Sequence, residues 1–140
     1  MVVGETMTSH QEIDQRSLAL HRVIAEKIRQ DPSLFENTKR TLTRWRTIVS
    51  ADSHSYLEEW QRLLDLGIEE SLAVATEDSE RANAMRQASP FCGILTNEER
   101  WEFLLEWDKN HGASDQETKE RRQKMIDTQD LLGKNNYFAR

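Results

Sequence analysis

The sequence predicts an all-α protein, on three observations. Apolar residues recur at spacings of three and four along most of the chain. No stretch alternates strictly between apolar and polar residues, and no Asn-Gly or Asp-Gly pair marks a hairpin. Only five Gly and two Pro punctuate 140 residues. The expected architecture is a compact multi-helix bundle over residues 1–111, followed by a C-terminal helical arm over residues 112–140.

After a loose start of about eight residues, a first helix opens at Ser9. Ile13, Leu20, Ile24 and Ile28 form its stripe, widened by Leu18 and Val23. Asp31-Pro32 ends it and starts the next, Asp31 as N-cap and Pro32 at the first helical position. The second helix places Leu34, Thr38, Leu42, Trp45 and Val49 on one face, with Phe35 and Ile48 beside it. "SADSHS" (50–55) reads as a loop. Leu57, Trp60, Leu64 and Ile68 mark the third helix, backed by Tyr56 and Leu63, and Gly67 is the point where it bends or ends. Leu72 and Ala75 continue the spacing. Residues 76–87 predict a short helix with Ala82 and Met85 or Arg86 turned inward.

Ser89-Pro90-Phe91-Cys92-Gly93 cannot stay helical, because Pro90 lacks a donor and biases Ser89 toward extended backbone. Thr96 and Glu99 then form an S/T-x-x-E capping box that restarts a helix. That helix is apolar on more than one side: Trp101, Leu104 and Leu105 share one face, and Phe103 and Trp107 another. Beyond Asn110-His111-Gly112 the chain favours helix but holds few apolar residues. Gly133 reads as a C-cap, and Tyr137-Phe138 lie near the end. Such an arm cannot stabilise itself and is expected to order on a partner.

Charge sharpens this division. Residues 1–111 hold 13 basic and 20 acidic side chains, residues 112–140 six and five. The formal net charge of −6 disfavours broad attraction to nucleic acid. Nine acids stand against the single base Arg62 within residues 52–80. The opposite bias appears in "KRTLTRWR", where Lys39, Arg40, Arg44 and Arg46 surround Trp45.

Catalytic chemistry finds little footing. There is no H-E-x-x-H, phosphate-binding glycine loop or G-x-S-x-G. His54/Glu58 and Asp108/His111 are the two pairs spaced to touch, and the histidines are otherwise expected to be exposed or to cap helices. Cys92, the only cysteine, allows no internal disulfide or cysteine-based zinc cluster and reads as a small buried hydrophobe. No metal and no cofactor are expected. No apolar run approaches the roughly 20 residues a membrane span needs, and the N-terminus has no signal-peptide pattern, so a cytoplasmic protein without membrane contact is expected.

"LHRVIAEKIRQDPSL" followed by "SERANAMRQASPFCGILTNEERW" resembles small uncharacterised bacterial proteins of two-gene, toxin–antitoxin-like operons. The matching positions are Leu20-His21-Arg22, Asp31-Pro32, Arg81-Ala82, Arg86-Gln87, Ser89-Pro90-Phe91, Gly93 and Glu99-Arg100-Trp101, within about residues 18–107. The resemblance implies an antitoxin-type protein that binds and neutralises a cognate toxin enzyme. The residues read as scaffold, with Arg81, Arg86 and Arg100 directed to helix C-terminal carbonyls or to the acidic segment. Expected partner contacts are Glu58, Glu69, Glu70, Phe103, Trp107, Met125, Ile126, Leu131, Tyr137 and Phe138. The alternatives are a DNA-binding autoregulator that uses Lys39, Arg40, Arg44 and Arg46, and a small enzyme of unspecified reaction.

Overall fold

The computed structural model describes residues 9–48, 54–112 and, further on, residues 116, 119, 120, 122–124, 126 and 127. The described residues form six α-helices and one 3-10 turn, an all-α fold. By packing, the chain falls into two compact units, Met1–Ile94 and Leu95–Arg140. The helix bearing Trp101 belongs to the second unit.

In the first unit, α1 (Ser9–Gln30) buries Leu18, His21, Ile24, Ala25 and Ile28. This stripe is rotated from the expected one. Ile13 and Val23 are 52% and 43% exposed, and Leu20 is half-buried. A polar side chain, His21, sits near the middle of the buried arc, so apolar spacing alone misplaced its centre. Asp31 then caps the turn Pro32–Leu34, its side chain accepting from Ser33 N at 3.3 Å and Ser33 Oγ at 2.6 Å.

Helix α2 (Phe35–Ile48) buries Phe35, Thr38 and Leu42. Trp45 is only half-buried, and Ile48, placed near the apolar face by its spacing, is 73% exposed. The apolar face turns inward over the first two turns and runs out into solvent over the last. Val49 lies outside the described residues.

Helix α3 (His54–Leu66) buries Leu57, Trp60, Leu63 and Leu64, while Tyr56 and Leu66 are exposed. Gly67 ends it in backbone that favours glycine, with φ of 135°. Its carbonyl accepts from both the amide (3.2 Å) and hydroxyl (2.9 Å) of Ser71, which starts α4 (Ile68–Ala75). The expected break at Gly67 is thus a restart, with two helices on one apolar spacing. Ser79 caps α5 (Glu80–Gln87) by accepting from Ala82 N at 3.1 Å, and Ala82, Met85 and Arg86 turn inward as expected.

α1 packs on α4 and α5, α3 on α2 and α4, and α4 on α5. Trp60 lies at the heart of the unit. It is fully buried, and its indole Nε1 donates to Met85 O at 2.9 Å, which satisfies its one polar atom. The turn after α5 drives Phe91 edge-on against Trp60, ring centroids 5.5 Å apart. Pro90, Phe91 and Ile94 are buried, whereas Cys92 is exposed, contrary to expectation. The turn needs Phe91 and Ile94 as inward anchors, and the two residues between them bulge outward.

In the second unit, α6 (Asn97–Asn110) starts with the expected capping box. Thr96 Oγ1 accepts from Glu99 N at 3.1 Å, and Glu99 Oε1 accepts from Thr96 N at 2.8 Å. His111 is its C-cap, and Gly112 follows with φ of 88°.

Candidate functional site

Two of the residues that carry the sequence resemblance are drawn together by the fold of the first unit. His21 of the opening block and Ser89 of the closing block, 68 positions apart, meet at 2.7 Å in the interior. The other ring nitrogen of His21 donates to Ser17 O at 2.7 Å. This histidine is neither exposed nor a cap, which corrects the expectation. Its partner is remote in sequence, so local spacing carried no signal for it.

Arg86 is 4% exposed. Its Nη1 donates to Ala75 O at 3.1 Å and Glu77 O at 2.8 Å, at the end of α4 where carbonyls lack helical partners. Its Nη2 donates to Asn83 Oδ1 at 2.5 Å. Burial lowers its pKa, opposed by the nearby carboxylates of Asp14, Asp78 and Glu77. Arg81 reaches Glu59 of the acidic segment at 3.3 Å. These two arginines do what scaffold residues were expected to do, one on helix-end carbonyls and one on an acid.

The acidic segment is partly spent within the fold. Glu59 binds Arg62 at 2.5 Å as well as Arg81, and the Arg62 hydrogen bond holds its carboxyl below the usual range. Glu69 lies 3.6 Å from Arg29. Glu58 and Glu70 are exposed.

The basic cluster on α2 divides similarly. Lys39 pairs with Glu36 at 3.3 Å and lies over the Phe35 ring, while Arg46 reaches Gln61 at 3.5 Å. Arg40 bonds Asn37 one turn back. Arg40 and Arg44 are exposed one turn apart.

α6 differs from every other α-helix here in its burial. It carries Trp101, Phe103, Leu104, Leu105 and Trp107, yet none of its residues is buried. Phe103 and Trp107 stack with centroids 6.2 Å apart, and the His111 ring lies on Trp107 at 3.6 Å. The His111 Nδ1 donates to Trp107 O at 2.8 Å, which fixes the imidazole on the indole. Sequence reading found the first two rings but paired His111 with Asp108. The signal was present, since 103, 107 and 111 are four apart and neighbours on one helical face.

Of the remaining expected contacts, Ile126 is 45% exposed. Met125, Leu131, Tyr137 and Phe138 lie outside the described residues, as does the side chain of His54. Among the described residues no group of three or more His, Cys, Asp or Glu is placed to hold a metal ion. Among them, too, no helix is long and apolar enough to cross a membrane.

The class this defines is an all-α bundle in which the motif residues His21, Arg86, Ser89 and Phe91 serve the interior of the first unit, while α6 carries three aromatic residues without burying any. Compared with known protein families, with curated proteins and with solved structures, the chain matches none.

Proposed function

We propose that the protein is an antitoxin-type binding module that neutralises a cognate toxin enzyme by protein–protein contact. The observation that carries this reading is α6: five large apolar side chains on 14 residues, not one of them buried. Aromatic residues are the usual anchors of interfaces, and a pre-stacked group loses little side-chain freedom on binding. The stack of Phe103, Trp107 and His111 has this character. Glu58 and Glu70 supply exposed negative charge suited to a basic partner, with Glu69 shared with Arg29. Ile126 adds a further exposed apolar side chain; Met125, Leu131, Tyr137 and Phe138, expected as contacts from the sequence, complete the proposed set. The sequence resemblance adds the operon type.

The test is a tagged pull-down from the source cell with full-length protein, W107A and an alanine variant of Ile126, Leu131, Tyr137 and Phe138. One stoichiometric partner is expected, weakened by W107A, whose expression alone arrests growth and whose co-expression with this chain does not. If no partner is retained, or if the retained one is harmless on its own, the reading fails.

The autoregulator reading has one favourable observation, the exposed guanidinium groups of Arg40 and Arg44 on successive turns of α2. It predicts salt-sensitive retardation of the protein's own promoter DNA, abolished in an R40A/R44A variant.

A further inference from the structure

We infer that the buried His21–Ser89 bond is an acid-sensitive latch that holds the turn ending the first unit against α1. His21 is 5% exposed and Ser89 7%. A carbonyl can only accept, so the 2.7 Å contact to Ser17 O places a proton on Nδ1. A neutral ring then has Nε2 as acceptor, and Ser89 Oγ, 2.7 Å away, donates to it. Ser89 Oγ itself accepts from Phe91 N at 3.2 Å. These bonds form one directed chain, from the Phe91 amide through Ser89 and His21 to Ser17 O.

Protonation breaks the direction of that chain. An imidazolium carries a proton on both nitrogens, so Nε2 would face the Ser89 hydroxyl as a second donor. Ser89 Oγ would then accept twice, and its own proton would need a new acceptor in a buried site. The Phe91 ring packs beside the imidazole, centroids 6.3 Å apart and planes at 85°. Burial adds the cost of desolvating a charge.

Fixed charges of both signs surround this position. On α1, Arg22 is adjacent and exposed, while Lys27, about 9 Å along the helix, donates to Ile94 O. Asp14 and the Arg29–Glu69 pair with α4 lie about 10–12 Å away along the axis. From α5, Arg86 lies in the fields of Asp14 and Arg22. On the turn itself the titratable group is the exposed Cys92. Within the chain of bonds from Phe91 to Ser17, the direction at Ser89 is the feature that protonation reverses.

The sign follows. An unfolded chain takes up the proton near pH ~6.5 while the latched state resists it, so stability is complete above that pH and falls as pH drops below it. Opening removes one tie between this turn and α1; Lys27 on the Ile94 carbonyl is another, and Phe91 and Ile94 stay anchored by burial.

The experiment compares thermal unfolding of the full chain and of H21Q between pH 7.5 and 5.5, alongside the imidazole nitrogen shifts of the wild-type protein. The wild type should lose about 4–8 °C more than H21Q over this range. His21 should keep the Nδ1-protonated neutral pattern at pH 7, and amide exchange at Phe91 should accelerate as pH falls. Equal pH profiles for the two proteins, or an imidazolium pattern for His21 at pH 7, would overturn the latch. Should H21Q fail to fold, the nitrogen shifts and Phe91 exchange of the wild type decide alone.

Discussion

Replacing Arg86 should damage the first unit more than its position in a short, polar helix suggests. The guanidinium closes the end of α4 through Ala75 O and Glu77 O and ties itself to Asn83. Hydrogen bonds from a charged donor are each worth about 1.5–3 kcal/mol net. The three bonds do not add fully, because burial disfavours the cation, as the lowered pKa records, and Nε lacks a partner. Truncation to alanine also orphans helix-end carbonyls and leaves the volume of the side-chain stem empty. Together these give a loss of about 3 kcal/mol for R86A. In a unit of this size that lowers Tm by about 12–24 °C. R86M restores the stem without the donors and should recover less than half. R86K keeps charge but offers no planar fork and should fall between wild type and R86A. Urea and thermal unfolding followed by far-UV circular dichroism measure all three. A shift below about 4 °C for R86A would show that α4 does not depend on this clamp.

Gly67→Ala should cost about 1–3 kcal/mol, because φ of 135° strains any side chain. The added Cβ would also lie 3.1 Å from Glu70 Oε1, but that flexible carboxylate can move, so backbone strain sets the cost, read by urea denaturation. Glu59→Gln should lower Tm by about 2 °C at neutral pH, since a partly exposed, solvent-screened ion pair contributes little. Its carboxyl is held below the usual range, so its contribution is present above pH ~4.3 and lost as pH falls through the lowered value. Wild type and E59Q should therefore converge in acid, as parallel pH-dependent melts would show.

Features governed by neighbours in sequence were legible before the structure. The Thr96–Glu99 capping box, the Asp31-Pro32 start and the Gly67 break all appear where residue chemistry placed them. Each depends on bonds spanning no more than a few residues. Arg86 was legible too, since an arginine turned inward among short helices has helix-end carbonyls as its natural acceptors. The failures share a different cause. His21 is buried because Ser89 comes to it from far along the chain, and this rotates the buried stripe of α1 away from Ile13. Ile48 and Trp45 follow the apolar spacing of α2, but spacing does not say how far along a helix its neighbours extend. Cys92 was judged by residue type, whereas its exposure comes from the inward anchoring of Phe91 and Ile94. At α6, the three aromatic positions were readable but their stacking was not. Ring orientation depends on rotamers, and on the His111 bond to Trp107 O.

The placement of the four indoles also gives the protein an optical label on its interior. Trp60 is sealed against Phe91, with its nitrogen bonded to Met85 O, while Trp45, Trp101 and Trp107 retain contact with solvent. Its emission should lie to the blue of the others and resist quenching by acrylamide. The quencher-resistant fraction reports the integrity of the first unit, and the accessible fraction includes the indole on α6 that the proposed partner would cover. One titration thus separates loss of fold from occupation of a surface, without a dye or an engineered probe.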